Sequence, residues 1–300
     1  MPANPTGYTY LTAETVNRLQ NLSMVARSVV DGFVTGLHRS PYHGFSVEFS
    51  EHREYSPGDN LRYIDWQAYG RTNRYYVKQF DQETNLRCHI LLDASASMSY
   101  GSGAVTKFEY ASYLAASLAW LMIRQRDSVG LVTFDRDVRT RIPPGGTTAH
   151  LDRLLVQLEH TRPSSLTGIA NTFHALAENI KKRGLIIVIS DLFDDEREIF
   201  RALRHFRHKK HEVIIFHVMD PAELTFPFTR LTDFLDVETR DKIHADPRYV
   251  RRAYLAEMNA FLENLRRGCA EGLIEYVLAD TSKPFASMLS GYLDKRKRVG

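Results

Sequence analysis

Three hundred residues, 43% hydrophobic and 25% charged, allow one substantial core with a smaller module beside it and exclude a disordered chain. The formal net charge of +3 is small for this length, and basic residues alternate with acids, so composition gives no case for a nucleic-acid partner. Cys88 and Cys269 lie far apart in no metal-ligand spacing, no secretory signal follows Met1, and the most apolar helical stretch, Tyr113 to Ile123, is shorter than the roughly 20 residues that span a bilayer. The expectation is a cytoplasmic protein with reduced thiols and no transmembrane segment.

In chain order, residues 1–85 read as a small module of helix and strand. Val16, Leu19, Leu22, Val25 and Val29 recur at helical spacing within Thr12 to Val34. Phe45, Val47 and Phe49 alternate with polar residues as in a half-buried strand, Ser56-Pro57-Gly58-Asp59 is a turn, and Tyr75 to Phe80 is a further strand. Residues 86–300 read as an α/β domain. A buried strand ends at Asp93, a largely apolar helix runs from Lys107 to Arg126, and Ser128 to Phe134 is a strand. Asp135-Arg136-Asp137 is too short for a crossover helix, so Val138 to Ile142 must return as an antiparallel edge strand before Pro143-Pro144-Gly145-Gly146 breaks the chain. Helices over Ala149 to Glu159 and Ile169 to Lys182 precede the buried strand Leu185 to Asp191. There follow a helix (Glu196 to Phe206), a strand (Val213 to Val218), a hairpin (Phe234 to Glu238 with Lys242 to Ala245), a long helix (Pro247 to Arg267), a strand (Ile274 to Leu278) and a closing helix (Pro284 to Leu293). Strands separated by helices call for a mostly parallel sheet covered on both faces.

The functional signal is the run Cys88-His89-Ile90-Leu91-Leu92-Asp93-Ala94-Ser95-Ala96-Ser97-Met98, in which an apolar strand empties into one carboxylate and two hydroxyls at alternate positions. In parallel sheets ligands bind beyond the carboxyl ends of the strands, and short oxygen donors there suit a hard cation such as Mg²⁺. Capping of the next helix by Ser95 or Ser97 is the plainer reading of the motif alone. Asp191 ends a second buried strand on the same rim, and Ser164-Ser165-Leu166-Thr167-Gly168 supplies a further donor loop, from which Thr167 is chosen. Gly145-Gly146-Thr147-Thr148 competes for that role but reads better as a turn with a helix cap.

With these residues in view, the chain resembles the von Willebrand factor A domain, whose adhesion-type metal site joins D-x-S-x-S, a Thr from a later loop and an Asp after the fourth strand. Asp93, Ser95, Ser97, Thr167 and Asp191 match those five places, although Leu166 stands where related domains often carry Gly. Arg53-Glu54-Tyr55-Ser56-Pro57-Gly58-Asp59-Asn60-Leu61-Arg62-Tyr63-Ile64-Asp65-Trp66 is similar to the signature of the bacterial group called domain of unknown function 58. The resemblance implies a von Willebrand A-like sheet with one antiparallel edge strand and a site for Mg²⁺, with Mn²⁺ or Ca²⁺ as substitutes. It further implies a non-catalytic adaptor that offers the metal to an Asp or Glu of a partner protein, working with a MoxR-type AAA+ ATPase.

The competing enzyme reading is a haloacid-dehalogenase-like, Mg-dependent phosphatase using Asp93, but Ser95 stands where that family places its acid-base Asp. A serine hydrolase lacks the Gly-x-Ser-x-Gly elbow. His205, His208 and His211 read as a solvated basic helix end. Trp66 with Tyr63, Tyr69, Tyr75 and Tyr76 reads as glue between module and domain, and Arg53, Asp59, Arg62, Asp65 and Arg71 as an ion-pair network within the module.

Overall fold

A computed structural model describes residues 22–24, 26–27, 46–56, 64–83, 86–164, 168–235 and 241–284. In the amino-terminal part, β1 (Ser46–Glu54) pairs antiparallel with β2 (Tyr76–Glu83), and the short helix α1 (Trp66–Thr72) lies between them in sequence. Asp65 starts α1, its carboxylate accepting from the amides of Gln67 and Ala68 at 2.9 and 3.0 Å and so satisfying two donors that a helix start leaves open. Tyr69 and Tyr75 stack at 4.5 Å, and Trp66 meets Tyr69 edge-on at 6.3 Å. Of the helix expected over Thr12 to Val34, residues 22–24 and 26–27 are helical. The remainder of it, the turn from Pro57 to Asp59 and Arg62 lie outside the described residues.

The main domain runs β3 (Arg87–Asp93), α2 (Lys107–Arg124), β4 (Ser128–Phe134), β5 (Val138–Gly145), α3 (Thr148–His160), α4 (Ile169–Asn179), β6 (Leu185–Ser190), α5 (Glu196–His208), β7 (Glu212–Met219), α6 (Pro221–Thr225), β8 (Thr232–Leu235), β9 (Lys242–Ala245), α7 (Pro247–Glu271) and β10 (Glu275–Asp280). Six strands form one sheet in the order β10-β7-β6-β3-β4-β5, and β8 and β9 make a separate hairpin. Every neighbouring pair in the large sheet is parallel except β4 with the edge strand β5. This is the mostly parallel α/β sheet expected, antiparallel edge strand included. The chain leaves β3 towards β4 and β5 and later returns to lay β6 on its other side, so the strand order reverses at β3 and opens a crevice between the ends of β3 and β6.

Side-chain alternation places the core on both faces. Ile90, Leu92, Ile187 and Ile189 face α2 and α3, and Leu22 and Ala26 join that cluster. Leu91, Ile186 and Val188 face α4, α5 and α7, where Phe173 meets Phe134 and Phe206 edge-on at 5.3 and 6.0 Å.

Several boundaries differ from expectation for physical reasons. The prolines do not break the chain after Ile142: β5 continues to Gly145, because an edge strand leaves one side without ladder bonds to lose. The helix expected to reach Lys182 stops at Asn179. The unexpected helix α6 is written into Asp220-Pro221-Ala222-Glu223, a capping box with Pro in the first turn. His211 is 1% exposed rather than solvated, its Nδ1 accepting from the Gly184 amide and its Nε2 donating to the Ile180 carbonyl, both at 3.2 Å. Burial holds that imidazole below its usual range and hence neutral. Cys88 and Cys269 are both buried, and neither is in a disulfide. The closing helix expected from Pro284 to Leu293 lies, after its first residue, outside the described residues.

Candidate functional site

Each of the five mutually parallel strands reaches an Asp at its carboxyl end: Asp93 ends β3, Asp135 follows β4, Asp191 follows β6, Asp220 follows β7 and Asp280 ends β10. Three of them serve local turns. Asp135 accepts from the Asp137 amide at 3.2 Å, Asp280 from the Ser282 amide at 2.9 Å, and Asp220 caps α6 while taking the amide and hydroxyl of Ser102 at 2.8 and 2.5 Å. Asp93 and Asp191 remain, and they flank the crevice where the strand order reverses.

Asp93 is fully buried. Its Oδ1 accepts from the Ser95 amide at 2.9 Å, and its Oδ2 accepts from the Ser190 hydroxyl at 2.5 Å. Burial, and then the nearby Asp191 carboxylate, push its pKa up to about 7, against the opposing pull of the Ser190 and Ser95 hydrogen bonds. Beyond it the chain makes a single 3-10 turn, Ala96–Ser99, anchored by fully buried Met98 and by the Ala94 amide donating to the Phe134 carbonyl at 2.7 Å. That turn sets the Ser95 and Ser97 hydroxyls 3.0 Å apart.

The Asp191 side is built differently. Ser190 Oγ also accepts from the Leu192 amide at 2.9 Å, while Leu192 itself is fully buried in the left-handed region at φ 54°, a conformation that costs a branched residue roughly 1 kcal/mol or more. His217, an imidazole within the otherwise apolar β7, places Nε2 2.8 Å from the Asp191 carbonyl and Nδ1 2.7 Å from the Tyr276 hydroxyl. Burial lowers its pKa to about 4, so it is a neutral prop that donates to the carbonyl. The Asp191 carboxylate takes an unexpected partner. Lys107, in the first turn of α2 and 1% exposed, lies with Nζ 2.8 Å from Asp191 Oδ2 and 2.6 Å from Glu223 Oε1. Burial disfavours this ammonium, but the two carboxylates outweigh burial and hold its pKa above the usual lysine value.

Four of the five expected site residues, Asp93, Ser95, Ser97 and Asp191, therefore line the crevice between β3 and β6. Thr167 lies outside the described residues. The flanks of its loop are tied to both sides of the crevice: the Ser164 amide donates to the Ala94 carbonyl at 2.9 Å, and the Ile169 amide to Asp194 Oδ2 at 2.9 Å. Thr147 caps α3 by accepting from the His150 amide at 3.1 Å, as the turn reading of that segment expects.

The donors on the Asp93 side are hard oxygens of the kind that suit a hard cation. The two serine hydroxyls are hydrogen-bonded to each other at 3.0 Å, a separation that also matches adjacent corners of an octahedron with metal–oxygen distances of about 2.1 Å. Among the described residues no group of three or more His, Cys, Asp or Glu side chains is arranged to hold a metal, so such an ion would depend on these hydroxyls. Lys107, Glu223, Ser190 and His217 escape a reading by motif. Lys107 leaves one trace, a cation in the first turn of a helix, where the dipole disfavours it, and His217 another, an imidazole inside an apolar run.

The model of the family described as protein of unknown function DUF58 matches residues 51–261. An uncharacterized protein of Mycobacterium tuberculosis is 28% identical over 213 residues, covering 70% of this chain and 66% of that protein, so the chain spans just under two thirds of the curated relatives it matches. Among solved structures, BatB from Bacteroides thetaiotaomicron is similar at 20% identity and TM-score 0.49 over 72% of this chain and 100% of that one. An aerotolerance-related membrane protein from Bacteroides fragilis is similar at 21% identity and TM-score 0.48 over 70% and 99%. No helix among the described residues is long and apolar enough to cross a membrane.

Proposed function

The chain belongs to the DUF58 family, and we propose that it is a non-catalytic, cytoplasmic adaptor whose crevice holds a divalent cation, Mg²⁺ first and Mn²⁺ or Ca²⁺ as substitutes, for contact with an Asp or Glu of a partner protein. The observation that carries this reading is the buried Asp93 carboxylate beside two hydroxyls at octahedral-edge spacing. A bound cation would supply a Lewis-acidic position for an outside carboxylate. The chain's own part is to orient: Met98 locks the turn, Ser95 and Ser97 present hydroxyls, and Ser190 fixes the Asp93 carboxylate. With Asp93 ionised, Asp93, Asp191 and Glu223 against Lys107 make three carboxylates and one ammonium, a formal charge of −2 that one divalent cation cancels. An acidic partner group then meets little repulsion. On the family resemblance, the partner we propose is a MoxR-type AAA+ ATPase acting in complex assembly or maturation.

The test is capture of partners from cell extract by the tagged protein, in Mg²⁺ and in EDTA, with the Asp93→Ala variant alongside. Partners held by wild type in Mg²⁺ and released by both EDTA and the variant are expected; a partner that stays under all conditions overturns the reading. The phosphatase alternative has less support, because the position where that chemistry needs an acid-base carboxylate is held by Ser95.

A further inference from the structure

Lys107 is a residue of the crevice that a metal site does not call for. It is a cation at the positive end of α2, almost wholly out of water, and both features cost free energy unless specific anions compensate. The compensation is built from two separate elements. Asp191 follows β6, and Glu223 belongs to α6, where its second oxygen accepts from the Asp220 amide at 2.9 Å and is thereby held in place. The other Asp191 oxygen, Oδ1, faces the Phe193 amide at 3.4 Å. Both oxygens of Asp191 thus face the protein's own donors, one of them a cation, whereas the Asp93 oxygens accept from the neutral Ser95 amide and Ser190 hydroxyl and the Ser95 and Ser97 hydroxyls have each other.

Resting on the metal reading above, we infer that Lys107 is a resident cation that withholds Asp191 from the metal, leaving the ion to the Asp93, Ser95 and Ser97 side alone. An ammonium 2.8 Å from Asp191 Oδ2 takes the place beside the oxygen that a directly bound Mg²⁺ would need, and two cations sharing one carboxylate oxygen repel. The consequence is a site of moderated affinity, whose metal exchanges with its surroundings instead of being locked in. Lys107 acts here as an affinity-setting residue and touches neither metal nor partner.

The experiment measures Mg²⁺ binding by titration calorimetry, and Mn²⁺ binding by electron paramagnetic resonance, on the full chain. It compares wild type, Lys107→Met, the double variant Lys107→Met with Glu223→Gln, and Lys107→Arg. The double variant removes one positive and one negative charge, so its formal −2 equals that of wild type while Asp191 is released. It also leaves fewer buried carboxylates unpaired, so it carries the decision if Lys107→Met alone does not fold. Tightening of at least about tenfold is expected in both Met variants, with Lys107→Arg within about threefold of wild type. Wild-type affinity in the double variant overturns the inference, since the lysine then acts through charge only, and so does tenfold tightening in Lys107→Arg. Equal measurable affinities throughout overturn the inference and spare the metal reading; no binding of either ion to any form overturns both.

Discussion

Replacing Ser190 by Ala tests how the crevice is held together. Its hydroxyl donates to Asp93 Oδ2 at 2.5 Å and accepts from the Leu192 amide at 2.9 Å, and all three residues are fully buried. The substitution removes a hydrogen bond to a carboxylate, about 1.5–3 kcal/mol, and orphans a buried amide, about 1–3 kcal/mol. With partial relaxation the expected loss is about 3 kcal/mol, or about 1 M in urea midpoint for a chain of this size. The loss should also depend on pH. Asp93 has a folded pKa of about 7, above its unfolded value, so its contribution to stability is full below the unfolded pKa and is lost as pH rises through about 7. The Ser190 bond holds that pKa down, and without it the decline continues to higher pH. Urea unfolding in EDTA, followed by circular dichroism at pH 6 and pH 8, should therefore show a larger penalty at pH 8, where wild-type Asp93 is mostly ionised. A penalty below about 0.5 kcal/mol at pH 8, or one equal at both pH values, would refute the role assigned to this hydroxyl.

Two further outcomes concern the core. His89 is 7% exposed, and burial, followed by repulsion from His211 where acid protonates it and from Arg141 and Arg87, lowers its pKa to about 4. The unfolded chain binds its proton near pH 6.5, so wild type should lose about 3 kcal/mol through this residue as pH falls from about 6.5 to about 4; His89→Leu should show that much less loss in the same urea series, and parallel curves would contradict the assignment. Phe173→Ala opens a cavity between the Phe134 and Phe206 rings and should cost about 3–5 kcal/mol by the same assay, with a loss under about 1 kcal/mol placing Phe173 outside the main core.

How much of this was legible in the sequence depends on the range of the interaction. The D-x-S-x-S turn is local: a strand buried on both faces fixes where Asp93 emerges, and Ser95 and Ser97 follow at the start of one 3-10 turn. Asp191 is nearly as legible, because the run Leu185 to Ile189 can only be a strand interior and its end must lie on the same rim. The edge strand could be deduced from the three residues between it and β4, yet its length could not, since prolines disfavour interior strands and β5 has one free edge. Lys107 and Glu223 are 116 residues apart and meet only after the sheet has formed. His211 was misread for a related reason. Its neighbours Lys209 and Lys210 mark a basic helix end, but the imidazole turns inward to bond across to Ile180 and Gly184, and no local pattern announces that.

The crevice is consequently asymmetric, and the asymmetry bears on which side can face a partner. Five strand-end aspartates present similar chemistry in the sequence, and the fold assigns them different work by choosing their neighbours. Where the neighbour is a backbone amide of the following turn, as for Asp135, Asp220 and Asp280, the carboxylate is used up in holding the loop. Where it is Lys107, as for Asp191, the carboxylate is neutralised by a buried cation that also joins α2 to α6. Asp93 accepts from the Ser190 hydroxyl and the Ser95 amide, with no cation among the bonds described, and desolvation, followed by the nearby Asp191 carboxylate, pushes its pKa to about 7. A buried carboxylate so placed can be satisfied by a proton or by a metal, and near neutral pH the two compete for the same site. Metal binding should accordingly release a proton. Calorimetric titration of wild type with Mg²⁺ at pH 6.5 in two buffers of different ionisation enthalpy should give different apparent heats, and identical heats would mean that Asp93 is already ionised before the ion arrives.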